Sequence, residues 1–312
     1  MKKVVVIGGG TGLSVMLRGL KQLKNIHLTA IVTVADDGGS TGRIRRQFHI
    51  PAMGDVRNVM CAMAEEETMF TSLMNFRFDG DESDVGGHNL GNLILTAMTQ
   101  TTGNFMEAIR TFSKFLNVKG NIIPSTLEVI TLYAMMEDGT IVRGESNIPC
   151  FDNRIEKVFY QQPVCATKEA LQAIREADII LYGIGSLFTS ILPNLIVNGI
   201  VEELKQNCAK KIYFCNAMTQ PGETNSFTLE DHVQTIQKHA FMEAVDIVVT
   251  HSNKIDEQLL KKYQEMGSQV VSVCEQTHPY QVLYRDVLSF ENDYIRHDSN
   301  KIRDVVQELM NR

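Results

Sequence analysis

The sequence predicts an α/β protein built on a doubly wound, mostly parallel β-sheet. Short apolar runs typical of buried strands recur along the chain, and helix-patterned segments separate most of them. Glycines and hydroxyl residues follow several of these runs directly, where an open parallel sheet binds its ligands. We therefore expect one doubly wound α/β domain over residues 1–312, with a helical and β-hairpin elaboration at residues 51–165.

The first strand, loop and helix carry the strongest local signal. An apolar run at residues 4–7 leads into a glycine-rich loop, and a helical pattern begins at residue 13. Such a loop brings backbone amides close to a phosphate, and the helix N-terminus adds partial positive charge. The spacing differs from the dinucleotide fingerprint because Leu13 takes the third glycine position, and no Walker lysine follows. The candidate phosphate ligands are Gly8, Gly9, Gly10, Thr11 and Gly12.

A second apolar run, residues 28–34, leads into a polar loop at residues 35–43. Adjacent residues of an extended chain point to opposite sides, so we expect only one of Asp36 and Asp37 to face the crevice. That carboxylate would bind a ribose hydroxyl or hold Mg²⁺ beside a diphosphate. Arg43, Arg45 and Arg46 form a basic cluster that is able to bind a phosphate. From this loop the candidate ligand residues are Asp36, Asp37, Gly38, Ser40 and Arg43.

Residues 51–116 have helical periodicity, which predicts helices at residues 56–64, 69–76, 90–98 and 105–116. Polar side chains precede two of these helices. Asp55 is either a helix N-cap or a residue that orients phosphate or hydroxyl groups. For His88 we favour a structural hydrogen bond over a proton shuttle. The candidate ligand residues in this region are Asp55, Asn58, Asn89 and Asn92.

The pattern then changes to strands at residues 127–136, 140–145 and 154–160, with a hairpin turn at residues 137–139. Beyond residue 168 helices and strands alternate, which implies right-handed crossovers and a parallel sheet covered on both faces. We predict helices at residues 168–176, 190–206, 229–239 and 256–266 and from residue 300, and strands at residues 178–182, 211–215, 246–250 and 269–274.

Two later strand ends repeat the combination of small and hydroxyl residues. Gly185, Ser186 and Thr189 follow the strand at residues 178–182, while Asn216 and Thr219 follow the strand at residues 211–215. We include these five among the candidate ligand residues. A capping role for Thr189 or Ser190 remains open, because a helix cap uses the same groups that bind an anion.

Composition limits the function classes. The 312 residues carry a net charge of −7, which argues against a broad nucleic-acid surface. No apolar run is long enough to insert into a membrane, and no cleavable signal is evident, so we expect a cytoplasmic protein. The six cysteines are scattered without a C-x-x-C pair, which favours reduced core residues over disulfides or zinc ligands.

Seven segments together resemble the YvcK/CofD-like family of gluconeogenesis factors, and the resemblance covers essentially the whole chain. They are GGGTGLS at residues 8–14, ADDGGSTGR at 35–43, GDVRN at 54–58, GHNLGN at 87–92, GSLFTS at 185–190, NAMTQPGET at 216–224 and YIRHD at 294–298.

This resemblance implies a Rossmann-like fold with a nucleoside-diphosphate ligand. In the gluconeogenesis-factor branch the ligand is a UDP-sugar, notably UDP-N-acetylglucosamine, and the role concerns cell morphology and carbon partitioning. The enzymatic branch is a 2-phospho-L-lactate transferase, which moves a phospholactyl group from a guanosine-diphosphate-activated donor onto a deazaflavin precursor. The resemblance also implies that Tyr263 and Arg296 contact the nucleotide sugar.

Three functions follow, of which we favour a UDP-sugar-binding regulator without turnover of its own. A transferase acting on a nucleoside-diphosphate-activated molecule is the alternative, and sequence does not separate the two. A nicotinamide-dependent oxidoreductase is disfavoured by Leu13. We expect no tightly bound cofactor except Mg²⁺ that accompanies the nucleotide, and we expect no nucleic-acid partner. We also expect a homo-oligomer, although the number of subunits and any protein partners are not apparent from the sequence.

Overall fold

The structure is a computed structural model that describes residues 1–66, 69–80, 83–274 and 277–311. Over these residues the strands, numbered in chain order, are β1 (Lys2–Gly8), β2 (Ile26–Val32), β3 (Asn121–Pro124), β4 (Tyr133–Met136), β5 (Ile141–Arg143), β6 (Ile155–Phe159), β7 (Ile179–Tyr182), β8 (Lys210–Phe214), β9 (Ile247–His251), β10 (Gln281–Arg285), β11 (Leu288–Ser289) and β12 (Arg296–His297).

The helices of the same residues are α1 (Gly10–Leu20), α2 (Gly39–Phe48), α3 (Gly54–Met63), α4 (Met69–Asn75), α5 (Leu90–Thr102), α6 (Phe105–Phe115), α7 (Lys168–Arg175), α8 (Leu192–Leu195), α9 (Ile200–Gln206), α10 (Leu229–His239), α11 (Glu257–Glu265) and α12 (Ser299–Met310). In the described part of the chain, no helix is long and apolar enough to cross a membrane.

The central sheet has seven strands in the order β10-β9-β8-β7-β1-β2-β3, and every pair in it is parallel. β1 lies in its middle, where Val4 pairs with Leu28 of β2 and with Ile179 of β7. The side chains of its apolar run are buried because helices cover both faces of the sheet. The predicted Rossmann-like α/β fold is confirmed.

The order of strands reverses between β1 and β7. From β1 the chain builds outward to β2 and β3, and then returns to place β7 on the other side of β1. This reversal is the topological switch point, at which open α/β sheets bind ligands beside the carboxyl ends of the strands. The fold therefore places the best binding position next to the glycine-rich loop that follows β1.

The elaboration between β2 and β7 has the predicted character. Helices α3 to α6 occupy the region where four helices were expected, and β4, β5 and β6 form a separate antiparallel sheet in the order β5-β4-β6. The hairpin turn is where the sequence places it, since Gly139 adopts φ +84° and the Met136 amide donates to the Thr140 carbonyl at 2.8 Å. The predicted hairpin strand at 127–136 is shorter than expected, because only residues 133–136 pair with neighbours.

The predicted continuous helix at residues 190–206 is wrong. A π-helical turn at Leu187–Ile191 leads into the short α8, and α9 starts only at Ile200. The interruption includes Gly199 at φ +93°, a conformation outside the helical region that glycine adopts readily. The apolar pattern persists through this break because the segment is buried, and this is why periodicity alone indicates one helix.

The predicted strand at residues 269–274 is also wrong. This segment runs beside the loop after β8, where Val271 donates its amide to the Ala217 carbonyl at 3.0 Å. β10 occupies the sheet edge instead, and Leu283 is the one buried residue of this five-residue strand. Sequence inspection also missed β3, β11 and β12, which have two to four residues each. The domain boundaries of the chain stay a prediction.

Candidate functional site

A cavity of about 420 Å³ opens at the switch point, beside the carboxyl ends of β1, β7 and β8. Nine of the predicted ligand residues line this cavity: Gly9, Gly10, Thr11, Gly12, Gly185, Ser186, Asn216, Tyr263 and Arg296. A larger cavity of about 700 Å³ lies between α6 and α7, and none of the predicted ligand residues lines it. We therefore place the candidate site at the smaller cavity, which has the expected position and donors.

The glycines after β1 are required for reasons beyond those visible in the sequence. A Cβ on Gly9 would lie 2.5 Å from the Thr33 methyl group and 2.6 Å from Asp55 Oδ2, and a Cβ on Gly12 would lie 2.4 Å from the Ile184 carbonyl oxygen. Gly10 has φ +67°, which disfavours any residue with a side chain. Packing and backbone conformation therefore already demand glycine, and an approaching phosphate is an additional reason.

The first turn of α1 faces this cavity with its backbone amides. The N-cap residue, Gly9, has no side chain to bind the amides of the first turn, and no acidic residue lies in that turn. These amides have no acceptor within the helix. Gly8 does not line the cavity, and its carbonyl accepts a hydrogen bond from Asn194 Nδ2 at 3.1 Å.

Asp55 lies against the other side of the glycine loop. Its carboxylate accepts a hydrogen bond from the Gly10 amide, which opposes the other influences on its pKa. Burial, followed by the charge of Asp36, raises the pKa of Asp55 to about 7. Asp55 lies in the first turn of α3, where Met53 is the N-cap residue, so of its two expected roles the helix N-cap is wrong and the ligand role stays a prediction. The carboxylate instead contacts the glycine loop through the Gly10 amide.

Asp36 and Asp37 point in different directions, as expected for neighbours on an extended chain. Asp36 Oδ1 accepts from the Gly38 amide at 2.9 Å, and Asp36 Oδ2 lies 2.6 Å from where a Cβ on Gly54 would be. Asp37 Oδ1 instead accepts from the Ser146 amide at 3.0 Å. Asp36 is therefore the one beside Asp55, and Asp37 ties its loop to the hairpin region.

Glu145, which sequence inspection missed, joins this acidic group from the hairpin region. Burial and then the charges of Asp36, Asp55, Asp37 and Glu223 raise its pKa to about 8. In the described residues, no three histidine, cysteine or carboxylate side chains are placed to hold a metal ion by themselves. Asp36 and Asp55 nevertheless fit the usual binding of Mg²⁺, in which one or two carboxylates share the ion with nucleotide phosphates.

The basic cluster predicted at Arg43, Arg45 and Arg46 does not form a phosphate site as a unit. The Arg45 side chain is buried, and its Nη1 donates to the carbonyls of Ala35 at 3.2 Å and Asp36 at 2.7 Å. Arg43 donates to the Gly86 carbonyl at 2.7 Å. Two of the three guanidinium groups therefore stabilise loops, because buried carbonyls require donors.

Ser40, Asn89 and Asn92 form a buried network away from the cavity. Asn89 caps α5 by accepting from the Asn92 amide at 3.1 Å, and Asn92 Nδ2 donates to Ser40 Oγ at 3.3 Å. The Ser40 hydroxyl also contacts His88 Nδ1 at 3.1 Å, in agreement with the structural role favoured for that histidine. These side chains join α2 to α5, and their ligand role stays a prediction.

Gly38 and Asn58 also lie outside the cavity lining. Gly38 is the N-cap residue of α2, and its amide binds Asp36. Asn58 accepts from Arg57 Nη2 at 2.5 Å. Gly38 and Asn58 lie near the acidic residues and away from the glycine loop. Direct contact of either residue with the ligand stays a prediction.

The loop after β7 binds a buried carboxylate from the loop after β8, Glu223, which sequence inspection did not select. Glu223 accepts hydrogen bonds from the Ser186 hydroxyl, from the Thr189 hydroxyl at 3.4 Å and from the Phe188 amide. Ser186 is also the N-cap residue, accepting from the Thr189 amide at 3.1 Å, so the capping role expected at Thr189 or Ser190 lies elsewhere. Burial raises the pKa of Glu223.

The two candidate residues after β8 have different surroundings. Asn216 lines the cavity, and its Nδ2 donates to the Gly185 carbonyl at 2.9 Å, which ties two strand-end loops together. Thr219 does not line the cavity. Its hydroxyl accepts from the Gln269 amide at 2.9 Å, so it anchors the segment that was expected to be a strand.

Tyr263 and Arg296 reach the cavity from the C-terminal part of the chain. The Tyr263 hydroxyl accepts from the Ile295 amide at 2.8 Å, next to Arg296 in sequence. Arg296 lies on β12, paired with Ser289, and its guanidinium lies 5.2 Å from the centre of the Tyr294 ring. His297 also lines the cavity, and burial followed by the charge of His251 lowers its pKa to about 4.

Sequence reasoning missed several lining residues, including Ser190, Gln220 and His297. Ser190 and Gln220 lie within loops that the glycine and hydroxyl pattern had already marked, so extending the candidate set over each loop would have found them. His297 adjoins Arg296, but no local pattern distinguishes it.

Comparisons with known proteins agree on the relationship. The family model described as 2-phospho-L-lactate transferase CofD matches residues 4–288. A protein of Bacillus subtilis (strain 168) named gluconeogenesis factor is 44% identical over 312 residues, covering 99% of this chain and 98% of that protein. One of the same name from Halalkalibacterium halodurans is 45% identical, covering 98% of this chain and 96% of that protein. A crystal structure of a UPF0052 family member from Bacillus halodurans is 44% identical with a TM-score of 0.94, covering 98% of this chain and 99% of that one.

Proposed function

This chain belongs to the CofD family, and from that premise we propose that it binds a nucleoside diphosphate carrying a small organic group. The site is the 420 Å³ cavity at the switch point. The observation that carries the proposal is the first turn of α1, whose amides after Gly10 face this cavity without a capping side chain from Gly9. A helix N-terminus with free amides binds phosphate through directed hydrogen bonds and through its dipole.

Further donors lie around the same cavity. Arg296 is exposed on the opposite wall, and a guanidinium binds phosphate oxygens through two parallel hydrogen bonds. Tyr263 presents a partly buried ring that a base or sugar can pack against. The donors and the ring together match a ligand with a diphosphate and a flat or cyclic group.

We propose UDP-N-acetylglucosamine as the ligand and regulation of carbon use and cell shape as the role. Relatives that are 44% and 45% identical over nearly their whole length are named gluconeogenesis factors, which supports a metabolic role. The uridine preference rests on the resemblance of the loops to that branch. In this function the protein senses the concentration of its ligand and does not convert the ligand into a product.

A transferase is the second candidate, and Asp55 favours it. A carboxylate with a pKa of about 7 beside the glycine loop is suited to general-base catalysis at neutral pH. It would take the proton of an acceptor hydroxyl while that oxygen forms a bond to the outer phosphorus. The bond from that phosphorus to the bridging oxygen breaks, and the nucleoside monophosphate leaves. Asp36 would help to hold Mg²⁺, which would neutralise the charge that develops on the phosphates.

Isothermal titration calorimetry with UDP-N-acetylglucosamine, guanosine diphosphate and NAD tests these functions, with product formation followed by phosphorus NMR. We expect binding of UDP-N-acetylglucosamine, no comparable binding of NAD, and no change in the phosphorus spectrum. Preferential binding of NAD would overturn the proposal. Equal binding of guanosine nucleotides together with release of a nucleoside monophosphate would select the transferase.

A further inference from the structure

The loop that faces the glycine loop carries three hydroxyl groups within five residues: Ser186, Thr189 and Ser190. A hydroxyl has one proton to donate, and it can assist phosphate binding only when that proton is available. The hydrogen bonds of this loop therefore decide which of the three can contact a ligand.

Ser186 and Thr189 are fully engaged with Glu223 and with each other. The Ser186 hydroxyl donates to Glu223 Oε2 and accepts from both the amide and the hydroxyl of Thr189, at 3.1 and 2.7 Å. The Thr189 proton is shared between Ser186 and Glu223 Oε1. Ser186 lines the cavity, but its hydroxyl already donates its hydrogen bond to a buried carboxylate. Thr189 does not line the cavity.

Ser190 differs from both neighbours. Its side chain is 9% exposed and lines the cavity, and its hydroxyl has no hydrogen-bond partner among the residues that the structure describes. Its Oγ lies 3.5 Å from where a Cβ on Gly10 would be and 3.7 Å from the same position on Gly185. The hydroxyl is thus held between the two glycine loops with its proton unused.

The Ser190 hydroxyl lies at the cavity wall and no described group accepts its proton, so it is available to an acceptor that a ligand supplies. The Gly10 amide is already taken by Asp55, which leaves the later first-turn amides of α1 as the backbone donors there. A phosphate oxygen beside those amides would be the acceptor that Ser190 lacks.

We propose that Ser190 donates the side-chain hydrogen bond to the diphosphate, while Glu223 keeps the Ser186 and Thr189 hydroxyls from doing so. This inference rests on the proposed function, because it assigns a residue to the same cavity. It also reassigns the ligand role expected for Ser186 and Thr189 to support of the loop.

The test compares Ser190→Ala with Thr189→Val, which removes the neighbouring hydroxyl while keeping the shape of its side chain. Each variant and the unaltered protein are titrated calorimetrically with UDP and with UDP-N-acetylglucosamine, and their melting temperatures are recorded. We expect Ser190→Ala to bind both ligands about ten-fold or more weakly, the loss typical of a hydrogen bond to a charged group. It should melt normally, and Thr189→Val should bind within about two-fold of the unaltered protein.

Each other outcome is decisive. If the unaltered protein binds neither ligand, the proposed function fails and the role of Ser190 falls with it. If the unaltered protein binds and Ser190→Ala binds equally well, only the Ser190 inference is overturned. A loss restricted to UDP-N-acetylglucosamine would place Ser190 at the sugar and overturn the diphosphate contact. A loss in Thr189→Val as large as that in Ser190→Ala would show that the loop as a whole, and not the free hydroxyl, is required.

Discussion

The Tyr263 hydroxyl on α11 accepts a hydrogen bond of 2.8 Å from the Ile295 amide, one residue before Arg296. Tyr263 and Arg296, which the resemblance associates with one ligand, are therefore also connected by a hydrogen bond within the protein. Ile295 is buried while Arg296 is exposed at the cavity, so this hydrogen bond fixes the backbone from which the guanidinium extends. Tyr263 can act on the ligand directly through its ring and indirectly through this strand.

Tyr263→Phe separates the two contributions of the tyrosine. The variant keeps the ring and removes the acceptor of the Ile295 amide, which should lower the free energy of unfolding by about 1 kcal/mol. Affinity for UDP-N-acetylglucosamine should fall only a few-fold, measured by calorimetry beside a denaturant titration. Tyr294→Phe is the control, because that ring is 46% exposed and should tolerate the loss of its hydroxyl. Equal effects of the two substitutions would refute the structural role of Tyr263.

Arg296→Ala tests the contact with the diphosphate. Loss of a charge-assisted hydrogen bond should weaken affinity by about 1.5–3 kcal/mol, or about ten-fold to a hundred-fold. Stability should hardly change, because the side chain is exposed and its guanidinium lies over the exposed ring of Tyr294. Arg296→Lys keeps the charge without the bidentate geometry and should recover only part of the affinity. An Arg296→Ala variant that melts early but binds normally would assign the residue to structure.

Gly10→Ala tests whether the glycine loop contacts the ligand, with Gly103→Ala as a matched control. Gly10 has φ +67° and Gly103 has φ +68°, and a Cβ on Gly103 would meet nothing within 4 Å. The left-handed conformation should therefore cost both variants about 1–2 kcal/mol of stability. Only Gly10→Ala places a methyl group at the cavity, so only that variant should lose at least about ten-fold in affinity. Normal binding by a folded Gly10→Ala protein would mean that Gly10 is needed only for the backbone turn.

Asp55→Asn should change how stability depends on pH. The pKa of Asp55 is raised, so the folded state holds its proton to higher pH than the unfolded chain does. Stability of the unaltered protein should therefore fall as pH rises from about 4, where unfolded aspartate titrates, to about 7. Asparagine does not titrate, so the variant should escape this loss.

Urea titrations at several pH values measure the difference. A shift of about three pKa units corresponds to about 4 kcal/mol, and solvent in the cleft reduces this, so we expect Asp55→Asn to gain about 2 kcal/mol over the unaltered protein at pH 8. The gain should disappear near pH 4. Asp79→Asn, which removes an exposed carboxylate, is the control for the change in net charge. A gain that is the same at both pH values would mean that ionisation of Asp55 is not its cause.

The sequence by itself determined the class of fold and the position of the glycine loop. The apolar runs of β1, β2, β7, β8 and β9 are continuous because both faces of the sheet are covered, and this burial is visible in composition alone. The rule that ligands bind beside the carboxyl ends of parallel strands then selects the loop after β1. Such features depend on neighbours in the chain, so local patterns predict them.

Only the tertiary structure decided which polar groups around that loop remain available. Glu223, 37 residues away, accepts the hydrogen bond of the Ser186 hydroxyl, and Asp55 accepts that of the Gly10 amide. Arg45 is directed inward and donates to backbone carbonyls. The edge of the sheet was likewise filled by β10 and not by residues 269–274. Hydrogen-bond partners and positions at the sheet edge depend on segments that are distant in sequence. A buried polar group generally forms its hydrogen bond with whichever group the fold brings near. Ser190 keeps its proton free because the fold brings no acceptor to it among the described residues, although its own sequence context does not distinguish it from Ser186.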